Sequence, residues 1–248
     1  MERRREVHYV RVRIPYLCLM IRSIRQTEDG SSTIYVEELN EHYHSTHGAI
    51  AESKHIFIDT AFNFCEKKEL RVLEIGFGTG LNAFLTCLEA TNQNRRVHYH
   101  AIEKYPLTLD EAMLLNYDAL LENQGISILD FHRTPWEESS RIVPSFILHK
   151  EKSDLLEMKA VGPFDVIYFD AFAPDVQPEL WSAEVFENIA KLTAPEGILT
   201  TYSVKGDVKR ALRTAGFIVK RIPGPKGKRQ ILRAIKSLNT NSQIYKQY

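Results

Sequence analysis

The segment Leu73-Glu74-Ile75-Gly76-Phe77-Gly78-Thr79-Gly80-Leu81-Asn82 constrains this 248-residue chain more than any other. The apolar run "RVLEIGFG" leads into glycines at alternate positions, and "GLNAFLTCLEATNQ" then reads as a helix. A buried strand, a glycine turn and a helix that opens on the turn form the nucleotide-facing corner of an α/β sheet, because the glycines let a ligand approach the backbone closely. The spacing is Gly-x-Gly-x-Gly, not the Gly-x-Gly-x-x-Gly of dinucleotide loops. Glu74 at the strand end would repel a pyrophosphate but suits the ammonium of an amino-acid moiety. That choice favours S-adenosylmethionine over a nicotinamide dinucleotide.

The rest of the chain fits one such sheet. Downstream, strands are expected at "VHYHAIEKY", "SFILHK", "DVIYFDAF" and "GILTTYS", and helices at "TLDEAMLLNYDALLENQ", "SDLLEM", "PELWSAEVFENIAKLTAP" and "VKGDVKRALRTAG". The last helix ends at Gly216, and "FIVKRIPGPKGKRQILRAIK" closes as a hairpin across Pro223–Gly227. The alternation predicts an α/β, doubly wound, mostly parallel sheet with an antiparallel C-terminal hairpin. Upstream, "IRSIRQT" and "STIYVEE" flank Asp29-Gly30, a hairpin signal. The stretch "EHYHSTHGAIAESKHIFIDTAFNFC" follows and is expected to be helical. Residues 1–19 read either as a dispensable extension ahead of a second start at Met20 or as an added strand. The polar tail beyond residue 236 is expected to be mobile.

Three further acids stand at strand ends. Glu103, in "HAIEKY", is placed to accept both hydroxyl protons of a ribose. Asp154 is a candidate for the adenine amino group, with Asp130 competing for that role. Asp170, in "YFDAFAP", ends an otherwise apolar strand, where ligands bind in open α/β sheets and where a buried carboxylate needs a cation or donor. Asn82 and Lys104 join the cofactor set. Phe172, Pro174, Trp181 and Tyr202 are candidates to wall a flat substrate.

A net charge of zero hides an asymmetry. Residues 26–203 hold 13 basic against 29 acidic side chains, whereas residues 204–236 hold 11 against one, Asp207. A basic segment on an acidic body points to a polyanion, RNA first. Lys220, Arg221, Lys226, Lys228 and Arg229 surround the hairpin turn, and Lys205, Lys209, Arg210 and Arg213 extend the surface. Cys18, Cys65 and Cys87 are too few and too scattered for a disulfide framework or a zinc knuckle, which makes a reducing cytoplasm the simplest home. No apolar run is long enough for a membrane helix. His42, His44 and His47 lack the spacing and partner acids of a metal site, so no metal is expected; they are expected to cover the cofactor mouth or to pack locally.

Together "EIGFGTGLNAFL", "AIEKYPL", "YFDAFAPDVQPELWSAEVFENIAKL", "TYSVKGDVKRALRTAGF" and "PGPKGKRQIL" closely resemble the methyltransferase domain of the MnmC family, over about residues 26–236. "DGSSTIYVEELNEHYHSTHGA" extends the likeness, especially to free-standing members. The resemblance implies S-adenosylmethionine-dependent methylation of 5-aminomethyl-2-thiouridine at the tRNA wobble position. It also implies the tRNA anticodon arm as partner. By motif it gives Glu74, Gly76, Gly78, Gly80 and Glu103 to the cofactor and sets Asp170 beside the substrate amine. Many members carry a second, FAD-dependent oxidase domain. This chain has neither room nor a second dinucleotide loop for it, so no FAD is expected, and a separate enzyme could supply the aminomethyl uridine. The implied division is an extension over 1–25, a hairpin and helix cap over 26–69, a methyltransferase domain over 70–236 and a tail over 237–248. Two other readings remain open here: an aminopropyltransferase of the polyamine class, and a non-catalytic tRNA-binding scaffold.

Overall fold

The computed structural model describes residues 9–11, 21–123 and 125–238. Most of the N-terminal extension and nearly all of the tail therefore lie outside the described residues. A small sheet comes first: β1 (Tyr9–Arg11), β2 (Ile21–Gln26), β3 (Ser32–Val36) and β4 (Glu41–His42), each antiparallel to the next. The hairpin expected at Asp29-Gly30 joins β2 to β3. Asp29 fixes its turn: Oδ1 accepts from the Ser31 N–H at 3.0 Å and Oδ2 from the Ala51 N–H at 3.0 Å, which ties the turn to the next helix. That helix, α1 (Ala49–Ser53), continues as a wider π-helical segment over Lys54–Phe62.

The main sheet follows: β5 (Glu69–Ile75), β6 (Arg96–Ile102), β7 (Ser139–Val143), β8 (Phe146–Glu151), β9 (Phe164–Phe169), β10 (Thr193–Thr201), β11 (Phe217–Pro223) and β12 (Gln230–Lys236). Its order is β11-β12-β10-β9-β5-β6-β8-β7. From β10 to β8 all neighbours are parallel, and antiparallel pairs close both edges. The helices are α2 (Leu81–Asn92), α3 (Leu109–Ala112), α4 (Tyr117–Leu120), α5 (Ile128–Arg133), α6 (Ala183–Leu192) and α7 (Gly206–Thr214). Alternation along the strands feeds two cores. Leu70 and Val72 of β5 join Phe57, Phe84 and Tyr168 on the face under α2 and the π-helical segment. Leu73 and Ile75 join Phe169, Val185, Phe186 and Leu212 on the face under α6 and α7. The doubly wound sheet and its C-terminal hairpin are as the alternating pattern implies.

Three expectations need correction. "TLDEAMLLNYDALLENQ" is not one helix but the short turns α3 and α4, because Asn116 between them serves the hairpin instead. Its Oδ1 accepts from Ser32 N–H at 2.8 Å and its amide donates to Gly30 O at 2.8 Å. "PELWSAEVFENIAKLTAP" is not one helix either: Pro178–Trp181 form a 3₁₀ turn, the extended Ser182 caps α6, and α6 stops at Leu192 because Pro195 disfavours helical geometry at the residue before it and β10 begins at Thr193. His42, His44 and His47 precede α1 rather than riding on it. β7 had no clear strand signature, since Glu137-Glu138-Ser139-Ser140 is polar and the strand lies on the sheet edge.

The small sheet is fastened to the large one by a buried ion pair, Arg22 to Glu111 at 3.3 Å, with Arg22 also donating to Tyr105 O at 2.7 Å. This docking brings residues 41–48 over the glycine loop.

Candidate active site at the carboxyl ends of the parallel strands

From β5 the chain winds through α2 to β6 on one side, and later returns to β9 on the other. Loops at the β5–β9 junction therefore diverge and leave a crevice, the position where open α/β sheets bind ligands. A cleft of about 410 Å³ opens there, within the range of small-molecule sites. The glycine loop forms its floor. Gly76 has φ +89°, and a Cβ on it would stand 2.6 Å from the Asp170 carbonyl oxygen, so only glycine lets the loop pass the tip of β9. Gly78 has φ +51° and lies under the Tyr43 ring. Gly80, at φ +74°, precedes the first turn of α2.

Glu103 and Asp154 stand on the β6–β8 side. Glu103 Oε2 accepts from the Gly78 N–H at 2.9 Å and Oε1 from the Tyr105 N–H at 2.7 Å. Each oxygen keeps further acceptor capacity for a hydroxyl. Asp154 lines the cleft, receives the Lys104 ammonium at 2.7 Å and caps the turn at Leu156. Burial works against its ionisation, yet Lys104 and the Leu156 N–H hold its carboxyl below the usual range. Asp130, the competitor, caps α5 by accepting from Ser127 N–H at 2.9 Å and does not line the cleft.

On the β5–β9 side Asp170 opens on the cleft, and its Oδ2 accepts from the Asn82 amide at 2.9 Å. Burial pushes its carboxyl up to about 7, with the Asn82 bond acting in the opposite direction. Glu74 departs from the reading that placed it on a ligand ammonium. The alternation of β5 turns it inward with Leu70 and Val72, so it lies fully buried beneath the loop and outside the cleft lining. Neither of its oxygens makes a hydrogen bond of normal geometry, although the Asn82 and Tyr99 side chains face it, and burial pushes its carboxyl well above the usual glutamate range.

The aromatic candidates divide. Phe172 lines the cleft against the edge of Tyr43, with centroids 5.3 Å apart. Tyr202 also lines it, anchored by its hydroxyl donating to Ala171 O at 2.8 Å. Trp181 does not: it is 5% exposed, donates to Phe172 O and packs on Phe169 in the core. Its amphipathic ring supports Phe172 from behind. Pro174 lies in the same loop but outside the cleft lining.

The basic hairpin is also not one surface. Lys228 reaches into the cleft, 2.8 Å from Glu52. Lys226 pairs with Glu28 at 2.7 Å on the rim, and Arg229 is exposed nearby. Lys220 and Arg221 are successive residues of edge strand β11 and so project to opposite faces. On α7, Lys205 is bound to Asp175 and Arg210 to Asp207, while Arg213 is exposed.

His42, His44 and His47, expected to cover the cofactor mouth or pack locally, all line the cleft, whereas Glu52, which lines it too, had no sequence signal. His44 donates to or accepts from Thr79 Oγ1 at 2.7 Å, and His132 meets Thr79 O at 3.0 Å, so two histidines grip the glycine loop. Burial lowers both to about 4, which keeps them neutral. The cluster "EHYHSTHG" stood out as a histidine-rich stretch, but nothing local indicated that His44 in particular grips Thr79. Among the described residues no group of three or more His, Cys, Asp or Glu is placed to hold a metal ion. No helix among them is long and apolar enough to cross a membrane. The acceptor set fits the hydroxyl and amino groups of a nucleoside: the Glu103 and Asp154 carboxylates both line the cleft.

A model of the family described as S-adenosyl-L-methionine-dependent methyltransferase matches residues 141–237. The tRNA 5-methylaminomethyl-2-thiouridine biosynthesis bifunctional protein MnmC of Burkholderia thailandensis is 32% identical over 224 residues, covering 83% of this chain and 33% of that protein. Its counterpart in Pseudomonas savastanoi pv. phaseolicola is 32% identical over 216 residues, covering 79% and 32%. The chain thus spans about a third of the length of the curated relatives it matches. Among solved structures, MnmC2 from Aquifex aeolicus superposes with a TM-score of 0.68 at 27% identity, covering 88% of this chain and 70% of that one. Spermidine synthase from Thermotoga maritima, at 15% identity and a TM-score of 0.58, shares the fold. The glycine loop at the switch point, the acids on the neighbouring strand tips and these likenesses agree: the chain is an S-adenosyl-L-methionine-dependent methyltransferase of Rossmann-like fold that resembles the methyltransferase part of the MnmC proteins.

Proposed function

We propose that the chain methylates the aminomethyl nitrogen of 5-aminomethyl-2-thiouridine at the wobble position of tRNA, giving 5-methylaminomethyl-2-thiouridine. Asp170 carries the reading. A carboxyl at the tip of β9, beside the glycine loop and pushed up to about 7, can exchange a proton near neutrality. S-adenosylmethionine supplies an electrophilic methyl group when bound. Glu103 would accept its ribose hydroxyls, Asp154 would meet its base, and the loop from Gly76 to Gly80 would carry it. Asn82 fixes Asp170 Oδ2, which leaves Oδ1 to orient the substrate amine and accept its proton. General-base help of this kind contributes about 10²–10⁴-fold. Phe172, Tyr43 and Tyr202 offer aromatic faces to a base lifted from the single-stranded anticodon loop, where unstacking is cheap. Lys226 and Arg229 on the hairpin would contact phosphates and position the anticodon arm. A cytoplasmic site of action and an upstream enzyme that delivers the aminomethyl uridine complete the reading.

The test is direct. The purified chain, S-adenosylmethionine and tRNA bearing 5-aminomethyl-2-thiouridine are incubated, and the nucleosides are analysed by mass spectrometry. Conversion to the methylaminomethyl form is expected. Cofactor binding without conversion would overturn the assignment, and conversion of putrescine with decarboxylated cofactor would move it to polyamine chemistry.

A further inference from the structure

Lys228 is the one hairpin cation whose head group enters the cleft, and what holds it there is informative. Its ammonium stands 2.8 Å from Glu52 Oε1 and 5.5 Å from the centroid of the Tyr202 ring. Glu52, Tyr202 and Asp170 all line the same cleft. Glu52 is itself nearly buried and held in place, because its Oε2 accepts the Ser45 N–H at 2.6 Å. The hairpin that carries Lys228 is pinned from outside: Lys226 binds Glu28, which in turn binds His47 at 2.9 Å. Asn82, 3% exposed, lines the cleft beside Asp170, and its Oδ1 accepts no hydrogen bond among the described residues.

Resting on the amine-methylation reading above, we infer that Glu52 is a second carboxylate of the substrate site that recognises a primary alkylammonium, and that Lys228 occupies this place as an internal surrogate until the substrate displaces it. A lysine head group is a primary alkylammonium, the same chemical group as the protonated aminomethyl arm. A carboxylate and an aromatic face together form a cation site of general kind, with the ring's negative face adding to the charge pair. Lys228 favours ionised Asp170 and Glu52 opposes it, so both act on the proposed base. When the substrate ammonium takes over Glu52, Lys228 is released toward the backbone phosphates of the incoming RNA. The exchange keeps one cation on Glu52 throughout, so that carboxylate is never left unpaired in a desolvated cleft.

The experiment uses mononucleosides, which carry no phosphate and so do not reward the release of Lys228. Binding of 5-aminomethyluridine and of uridine to the full chain, with S-adenosylhomocysteine present, is measured by NMR titration for wild type, Glu52→Gln and Lys228→Met. Wild type is expected to prefer the aminomethyl nucleoside. Glu52→Gln should weaken that nucleoside by about ten- to a hundredfold. Lys228→Met should tighten it by about tenfold, because the internal competitor is gone. Uridine affinity should change little in either. If both substitutions lower the melting temperature but leave the ratio of the two affinities unchanged, the pair only staples the hairpin, and the inference is overturned while the methylation reading stands. If wild type and Lys228→Met both show no preference for the amine, Glu52 is no ammonium site and the inference is overturned, while conversion of the modified tRNA in the assay above decides the methylation reading separately.

Discussion

The two sides of the cleft treat their acids in opposite ways. On the β6–β8 side, Glu103 accepts from two backbone N–H groups, and Asp154 pairs with Lys104, which favours its anion. On the β5–β9 side, Asp170 has one amide donor and Glu74 has none of normal geometry, and burial raises both. One side is built to accept hydrogen bonds from hydroxyl and amino groups. The other holds two carboxyls that burial pushes up, and the proton of Asp170 can move near neutrality. In a methyltransferase that meets a protonated amine, the first property suits cofactor binding and the second suits chemistry.

The largest test of this contrast is Asp170→Asn. The amide keeps the shape and the Asn82 neighbour but is too weak a base to take a proton. Single-turnover methylation should fall by about two to four orders of magnitude, with cofactor affinity nearly unchanged. Raising the pH should partly rescue the variant, because more substrate amine is then free. The wild-type rate should itself rise through about pH 7 as Asp170 ionises. A near-normal rate for the variant at neutral pH would assign Asp170 to capping the turn.

Glu103→Ala should do the reverse. Each charge-assisted bond to a ribose hydroxyl is worth about 1.5–3 kcal/mol, so affinity for S-adenosylmethionine should fall about ten- to a hundredfold per bond lost. At saturating cofactor the rate should recover. Calorimetry on the folded variant decides it: unchanged affinity would remove Glu103 from the site and erase the contrast.

The strand–loop–helix pattern made the fold and the positions of Asp170 and Glu103 legible, because short-range periodicity fixes which strand tip each acid occupies. Face and depth were not legible. Glu74 adjoins the loop in sequence, yet the period of β5 buries it. Trp181 and Phe172 look alike as candidate walls, but the 3₁₀ turn at Pro178–Trp181 sends the indole to the core and leaves Phe172 in the cleft. Glu52 carried no local signal at all. It becomes a cleft residue because the N-terminal hairpin docks through Arg22 and Glu111, a pairing 89 residues apart that no window on the sequence spans.

A smaller effect is expected at Glu74. Its folded-state carboxyl is raised, so between its unfolded and folded titration ranges the native chain holds the extra proton. Stability therefore falls as pH rises through that window. Glu74→Gln is nearly isosteric with the protonated acid and carries no such penalty. Urea unfolding should show the variant close to wild type in mild acid and gaining on it, on the order of 1 kcal/mol, toward alkaline pH. Parallel pH profiles would mean that Glu74 is ionised and paired in the native chain, like the acids across the cleft.

The smallest effect is expected on the rim, and it separates RNA from cofactor. Lys226 and Glu28 are both well exposed and solvent screens their pair, so losing it should leave the melting temperature where it was. If Lys226 exchanges Glu28 for an RNA phosphate, however, Lys226→Ala removes one counterion-releasing contact. The slope of log affinity against log salt for an anticodon stem-loop should then become shallower by about one contact's worth. Affinity for S-adenosylmethionine should not move, because Lys226 lies outside the cleft lining. Glu103→Ala should show the mirror pattern: weakened cofactor and an unaltered salt slope. An unchanged slope in Lys226→Ala would leave that lysine as a fastener between the hairpin and the N-terminal sheet, and would shift the expected phosphate contacts to Arg229 and to Lys209 of α7.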